Sequence, residues 1–509
     1  MGGKSSKKKS KGKKDVDKSA EGAGGDDNLV SITNDIFIGS SKSSPAEDYI
    51  QMNFLGEGSF ASVYKVKNRY TGEPRAMKVI KKSQNCSDST DQEIINEINI
   101  LKKMDHPNIL KIFEFYSNKD TYSIVTELCY EGELFNEIVD KGPFAEKYSA
   151  YIMYQVLSAV NYCHNMNIIH RDLKPENILI FKREKNGYPL LKVCDFGTSK
   201  MFDKGAVQKK LVGSSYYIAP EVLKKSYNEK CDVWSCGVIL YILLSGRPPF
   251  NGEGDKEIMN NVLQGKFDLK SSPFDTISKE CKDLITQLLT LDPKKRITAE
   301  DALNHQWFLK NKSKELFNQI KDEGLIKMFI HNLKNYKSDS VIQETALAYL
   351  VHNFSQRDDI VNACRLFNQI DVSGDGKINK EELYQGLAKR YSNSNLKQDV
   401  DIIFKNIDAD GNGYIQYEEF VRAAIDKTSF LQESTLRFAF RYFDKDNSGE
   451  ITFDEIQEVF EESITDKKKI QAGLKQIIKE VDTNGDNIIS FEEFSTIMQK
   501  LLKKNQIME

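Results

Sequence analysis

The strongest constraint on this chain is a twelve-residue pattern that recurs at residues 371–382, 408–419, 444–455 and 482–493. Each copy carries oxygen-bearing side chains at positions 1, 3, 5 and 12, with a backbone carbonyl at position 7, the donor set that a hard cation such as Ca2+ requires. The first copy offers Asp371, Ser373, Asp375, the Lys377 carbonyl and Glu382, and the second Asp408, Asp410, Asn412, the Tyr414 carbonyl and Glu419. The third offers Asp444, Asp446, Ser448, the Glu450 carbonyl and Glu455, and the fourth Asp482, Asn484, Asp486, the Ile488 carbonyl and Glu493. Position 8 is apolar throughout, as Ile378, Ile415, Ile451 and Ile489. Position 6 is glycine except in the last copy, where Asn487 stands. Asparagine tolerates left-handed backbone better than most residues, so binding is expected to persist there, weakened. The loops start 36 to 38 residues apart with helix-like flanks, which predicts an all-α array of helix–loop–helix hands.

At 509 residues the chain exceeds what one core organises. Residues 1–48 are rich in Lys, Gly, Ser and Asp and poor in aromatics, a composition that predicts a disordered basic tail. From 49 to 308, strand patterns such as Val63-Tyr-Lys-Val and Ala76-Met-Lys-Val-Ile give way to helical ones such as 147–165, so a small β-rich lobe on a larger helical lobe is predicted. In the junction 309–353, Ile326, Phe329, Ile330 and Leu333, then Ile342, Ala346, Tyr349 and Leu350, recur at helical spacing, predicting two amphipathic helices. Residues 354–509 hold the four loops. The eight cysteines are scattered, with no C-x-x-C pair and no secretory signal, which fits a reducing cytosolic compartment. The longest apolar stretch, 236–244, is far short of the roughly 20 residues that a membrane span needs.

Chemistry concentrates in 49–308. Leu55, Gly56, Glu57, Gly58, Ser59, Phe60, Ala61, Ser62 and Val63 form a turn in which two glycines let backbone N–H groups close over phosphates, although Ala61 replaces the usual third glycine. Lys78, on a strand, suits the α- and β-phosphates of ATP, and Glu97, in a helical pattern, is placed to pair with it. In His170-Arg-Asp-Leu-Lys-Pro-Glu-Asn177, Asp172 is suited to orient a hydroxyl and accept its proton, Lys174 to neutralise the moving phosphoryl group, and Asn177 to hold Mg2+. Asp195-Phe-Gly197 supplies the second Mg2+ ligand, Asp195, and Ala219-Pro-Glu221 closes the intervening segment.

In this order the motifs resemble the eukaryotic protein-kinase family, and Lys174 after Asp172 resembles its serine/threonine branch. That resemblance implies that Glu127 and Cys129 bound an adenine-binding hinge, that Thr126 guards the pocket behind it, and that Asp232 and an Arg296–Glu221 pair are structural. Glu133 and Glu176 sit where basophilic members carry acids, which implies protein substrates with a basic residue upstream of the target Ser or Thr. Lys210 occupies the position where many kinases carry a phosphorylated Thr, so Arg171 lacks that partner and switching is not expected to need phosphorylation of this segment.

Kinase motifs, junction and four hands together resemble the calcium-dependent protein kinases of plants and alveolate protists. The resemblance implies an α+β bilobal protein kinase fold followed by an all-α EF-hand, calmodulin-like domain, and a calcium-activated serine/threonine kinase that uses ATP, Mg2+ and Ca2+. It also implies an intramolecular partner, the junction helix, which holds the kinase inactive until calcium-loaded hands withdraw or re-dock it. A catalytically dead scaffold and a calcium buffer are the rival readings; intact Lys78, Asp172, Asn177 and Asp195 argue against the first.

The formal net charge of −3 hides a basic start, with seven Lys and no acid in residues 1–14. Met1-Gly-Gly-Lys-Ser-Ser6 fits the N-myristoylation pattern, with Gly2 as acceptor. One acyl chain binds membranes marginally, whereas Lys7, Lys8, Lys9, Lys11, Lys13 and Lys14 each add about 1 kcal/mol near anionic lipid. A cytoplasmic protein held peripherally on membranes, with no nucleic-acid partner, is the resulting expectation.

Overall fold

The structure is a computed structural model that describes residues 34–38, 40–41, 44–57, 61–82, 88–184, 186–202, 208–210, 212–311, 322–337, 340–389, 395–408, 411–461 and 481–503. Gly2, the lysine cluster 7–14, Gly58, Ser59, Phe60 and Asp410 lie outside the described residues.

The small lobe is a six-stranded sheet in the order β1-β5-β6-β4-β3-β2. Its strands are β1 (Ser40–Ser41), β2 (Tyr49–Glu57), β3 (Ala61–Asn68), β4 (Pro74–Lys81), β5 (Ile112–Ser117) and β6 (Thr121–Glu127). All pairings are antiparallel except β1 with β5. The two-residue period of β4 turns Arg75 and Met77 to one face and Ala76 and Lys78 to the other, so one strand serves two surfaces. Helix Asp88–Lys102 buries Ile94, Ile98 and Leu101 in the core shared with the large lobe.

The large lobe is built on helices Glu146–Asn165 and Lys230–Ser245. The second is apolar on every side (Val233, Trp234, Val238, Ile239, Leu240, Leu243), as a helix at the centre of a core must be. It ends at Gly246 in left-handed backbone (φ 70°).

The four loops fold as two pairs. Lys377–Ile378 pairs with Ile415–Gln416, and Glu450–Thr452 with Ile488–Ser490. Ile378 thus faces Ile415 and Ile451 faces Ile489. Buried position-8 isoleucines therefore join the hands two by two.

Both junction helices form where a side-chain oxygen caps the first turn: Asp322 accepts from the N–H of Gly324 and Leu325, and Ser340 from that of Gln343. Helix Glu323–Asn335 has one buried face, Ile326, Phe329, Ile330 and Leu333, packed on the helices of the first pair of hands. Helix Val341–Asn353 differs from the amphipathic expectation: Gln343, Thr345, Leu347, Ala348, Val351 and His352 are buried as well as Ile342, Ala346 and Leu350. It lies between the hands and the small lobe, and an element covered from two sides has no solvent face.

Residues 34–48, read from composition as unstructured, also differ. Asn34–Phe37 is a 3-10 turn and Pro45–Asp48 a short helix. Ile36 and Phe37 are buried, and the Phe37 ring lies 5.7 Å from those of Tyr349, His352 and Tyr442. Two apolar residues and a strand pairing suffice to anchor a segment whose average composition is polar.

Candidate active site and calcium loops

Asp172 is held from several directions. Ser214 donates to its Oδ1 through both N–H (3.1 Å) and Oγ (2.9 Å), and Lys174 Nζ donates to its Oδ2 at 2.8 Å. Lys174 also reaches Ser214 Oγ at 3.1 Å, closing a triangle, and Asn177 Nδ2 donates to the Asp172 carbonyl at 2.8 Å. Burial alone would raise the Asp172 carboxyl, but the Lys174 and Ser214 hydrogen bonds outweigh it and hold the group below its ordinary 3.8. Lys174 moves the other way: burial would lower it, and its Asp172 partner keeps it raised.

The backbone under this triangle hangs on Asp232, one turn into the Lys230–Ser245 helix. Its carboxylate accepts the N–H of His170 and of Arg171, each at 2.9 Å, and lies 2.9 Å from His164 Nε2. Those bonds hold Arg171 at φ 71°, left-handed backbone that a residue with a Cβ seldom adopts. The Arg171 guanidinium finds the Tyr227 hydroxyl and the Ser199 carbonyl, each at 3.4 Å, and Tyr227 in turn donates to the Lys210 carbonyl at 2.9 Å.

Lys78 Nζ lies 3.7 Å from Glu97 Oε1. Burial opposes the charge on both; the Glu97 and Asp195 carboxylates keep Lys78 raised, while Glu97 itself stays raised by burial despite Lys78. Asp195 stands at φ 62°, and a Cβ on Gly197 would come within 3.3 Å of Asp195 Oδ1 and 3.4 Å of Glu97 Oε2, so glycine lets the two acids share that corner. Asn177 uses its amide nitrogen on the Asp172 carbonyl, which leaves its oxygen, with the Asp195 carboxylate, as a donor set fitting Mg2+. A Cβ on Gly56 would meet nothing within 4 Å. The flanking Leu55, Ala61, Ser62 and Val63 remain at least partly exposed.

Glu127 is buried: Lys111 donates its N–H to Oε1 at 2.7 Å, and Lys192 pairs with that oxygen at 2.9 Å. Its side chain therefore anchors the connection between the lobes, and since its N–H donates to the Lys111 carbonyl at 3.0 Å, only its carbonyl is left to face a ligand. Arg296 and Glu221 form the bidentate pair that the resemblance implied, with Nη2 to Oε2 at 2.9 Å. Glu133 is raised by burial and then by Glu176, so these two acids are neighbours.

In the calcium loops the backbone is already wrapped around the carboxylates. Asp371 accepts from the N–H of Gly374 (2.7 Å) and Gly376 (2.9 Å), and Glu382 from that of Ser373 (3.0 Å). Asp408 accepts from Asn412 and Gly413, and Glu419 from Gln416. In the third loop the carboxylates of Asp444, Asp446 and Glu455 lie within 4.8 Å of one another. The fourth loop turns at Asn487 with φ 66°, the conformation asked of this asparagine, and its N–H reaches Asp482 at 2.9 Å. Burial, then repulsion from Asp375 and Glu382, pushes the Asp371 carboxyl up to about 7. Acids crowded in this way fit a divalent cation.

Several residues that join the hands to the lobes went unnoticed in the sequence. Lys111 and Glu418 pair at 2.8 Å, the Glu418 N–H donates to Asp105 at 3.0 Å, and Arg75, its guanidinium 3.7 Å above the Phe113 ring, donates to the Asn353 carbonyl. Gln356 bonds the Leu128 carbonyl and the Tyr130 hydroxyl, Arg365 pairs with Glu184, and Lys182 with Asp358. Arg75 carried one signal: it shares the register of Met77, and a charge at a core-facing position asks for a partner.

Residues 49–308 match the family model described as a protein kinase domain, and 361–425 and 433–499 the one described as an EF-hand domain pair. The chain is 39% identical over 476 residues to calcium-dependent protein kinase 4 of Plasmodium berghei (strain Anka), covering 92% of this chain and 89% of that one. It is 40% identical to calcium-dependent protein kinase 3 of the same organism, over 87% and 79% of the two chains. With calcium-dependent protein kinase 21 of Arabidopsis thaliana the identity is 38%, over 87% and 81%.

Proposed function

This chain belongs to the calcium-dependent protein kinases, and from that premise we propose that the docked arrangement described above is its working state, transferring the γ-phosphate of ATP to Ser or Thr of proteins. It is a calcium-activated protein kinase that uses ATP, Mg2+ and Ca2+. The observation that carries the finer reading is the triangle of Asp172, Lys174 and Ser214.

Mg2+, when bound, would supply positive charge that offsets the charge of the phosphates. The chain's own groups do the rest. Asp172, ionised and fixed on both oxygens, orients the substrate hydroxyl and takes its proton. Lys174 stands beside it to offset charge on the transferred group, Lys78 grips the α- and β-phosphates, and Glu97 holds Lys78 in place. Asn177 and Asp195 would hold the cation. Glu133, whose proton affinity is raised by burial and then by neighbouring Glu176, favours together with Glu176 a substrate with an arginine upstream of its target residue.

Docking explains how calcium enters. The junction helix Val341–Asn353 contacts β4 at Arg75 and β5 at Phe113, and the hands contact Lys111 just before β5, the segment joining the lobes, and the Glu146–Asn165 helix of the large lobe. A body bonded to both lobes limits their relative motion, and with it the geometry between Lys78 and Asp172. Helix Glu323–Asn335 is meanwhile occupied by the first pair of hands, with Asn332 donating to the Ala424 carbonyl and Lys334 pairing with Asp399. Calcium therefore acts by favouring this docked state over others, in proportion to its differential affinity.

Among the described residues no helix is long and apolar enough to cross a membrane. Myristoylation at Gly2 and the lysines at 7–14 are proposed to hold the protein peripherally on anionic lipid. The test of the catalytic reading is phosphorylation of a serine peptide with and without an upstream arginine, by the native chain and by Asp172→Asn. Calcium-dependent transfer that favours the arginine peptide and disappears in the variant is expected; transfer by the variant at a near-native rate would refute the role of Asp172.

A further inference from the structure

The four calcium loops share a backbone course but not an environment. Gly374 and Gly376 of the first loop are buried, and a Cβ on them would lie 2.7 Å from Leu303 Cδ1 and 2.5 Å from Tyr162 Cδ2 respectively. At Gly411, Gly413, Gly449 and Gly485, the matching glycines of the other loops, an added Cβ meets nothing within 4 Å. What covers the first loop is the large lobe of the kinase. Asn161 Nδ2 donates to the carbonyls of Ser373 (3.3 Å) and Gly374 (3.2 Å), and the Tyr154 hydroxyl donates to that of Asp371 (3.4 Å). Asn161, Tyr154 and Tyr162 all belong to helix Glu146–Asn165.

We propose that this helix face is a receptor for the closed first calcium loop, and that an ion held there is sealed between the hands and the kinase until the two separate. The bonds from Asn161 run to main-chain carbonyls of residues 3 and 4 of the loop, whose placement belongs to the closed course held by the Gly374 and Gly376 N–H bonds to Asp371, a course that a cation gathered by the same carboxylates would favour. Docking and ion binding at this loop therefore strengthen one another by the same factor. The helix carries the constraint onward: His164, one turn beyond Asn161, bonds Asp232, which holds the N–H groups of His170 and Arg171 beside the catalytic Asp172. Occupancy of the first loop is thereby read by the lobe that carries the base, whereas the second loop meets the kinase only near its end, where Glu418 bonds Lys111 and Asp105. This inference rests on the docked state being the working one.

The test is calcium release from the full chain. Protein loaded to a measured stoichiometry is mixed rapidly with an excess of fluorescent chelator in the presence of a non-hydrolysable ATP analogue. One ion per chain is expected to leave at least about tenfold more slowly than the rest. Asn161→Ala, which removes both carbonyl bonds, should speed the slow phase about fivefold or more, with unchanged calcium stoichiometry. Glu382→Gln, which leaves the kinase lobes untouched, should abolish the slow phase and spare the fast ones. Release of all ions at one rate, a slow phase that survives Glu382→Gln, or one indifferent to Asn161→Ala would each overturn the proposal. A failure of docking itself is separated by the Lys111 and Glu418 variants described below, which leave the first loop and Asn161 intact.

Discussion

Asp172 acts as a base only while ionised, and its neighbours decide how far into acid that lasts. Burial raises its carboxyl, but Lys174 and Ser214 outweigh burial and leave it below 3.8. A depressed carboxyl is charged above its lowered value and loses charge only as pH falls through it, so the acid limb of kcat/KM should lie below the ordinary carboxylate range. Lys174→Ala removes the main opposing contribution, and the limb should move upward; kcat/KM against pH at saturating calcium checks both the position and the direction. An unmoved limb in Lys174→Ala would mean that another group titrates. Asp172→Asn should lower kcat by about 10² to 10⁴, with ATP binding retained because the phosphate grip lies elsewhere. At this scale the chemistry was open to inspection because phosphoryl transfer needs particular residue types at particular spacings. Glu127 was legible only in part: its place in the chain pointed to the hinge, but no spacing reveals that its side chain turns inward to Lys111 and Lys192.

Among the elements, the segment between Asp195 and Glu221 has Lys210 where the kinase resemblance places a phosphorylated Thr, so Arg171 is not expected to gain a phosphate partner. Tyr227 takes part of that place, accepting from Arg171 and donating to the Lys210 carbonyl. Protein treated with phosphatase should therefore keep its full calcium-stimulated turnover, and Tyr227→Phe should lose several-fold, since the hydroxyl joins two segments by bonds of about 1 kcal/mol each. Loss of activity on phosphatase treatment of a still-folded chain would contradict this. The Asn34–Phe37 turn offers a second prediction. Phe37→Ala removes a buried ring from between Tyr349, His352 and Tyr442, a change of about 3 kcal/mol in a core and less at an interface. The calcium concentration for half-maximal activity should rise, with kcat at saturating calcium little changed. Neither this turn nor the burial of helix Val341–Asn353 could be read beforehand. Periodicity reports an element with one wet face, and an element gripped from two sides has none.

For the whole molecule, two lobes and a four-handed domain were legible from motif order and loop spacing, because each half carries its own strong pattern. Their mutual placement was not. It depends on scattered single residues such as Arg75, Asp105, Lys111, Gln356 and Glu418, which belong to no repeat and bear on function only once the chain has folded. The Lys111–Glu418 pair is the most informative of them. Burial would raise the Glu418 carboxyl, but Lys111, with His352, holds it well below the usual range. Removing one member of such a pair leaves a buried charge uncompensated, at a cost of about 3 to 5 kcal/mol, whereas replacing both with apolar residues is close to neutral.

The central claim is that calcium activates by docking the hands across both lobes, and a double-variant cycle at this pair tests it most directly. Phosphorylation of a peptide is measured against free calcium for the native chain, Lys111→Met, Glu418→Leu and the double variant. Each single variant should need about tenfold more calcium or more to reach half-maximal activity, and the double variant should return towards the native curve. Single variants that follow the native calcium curve would show that the docked contact does not carry the activating signal.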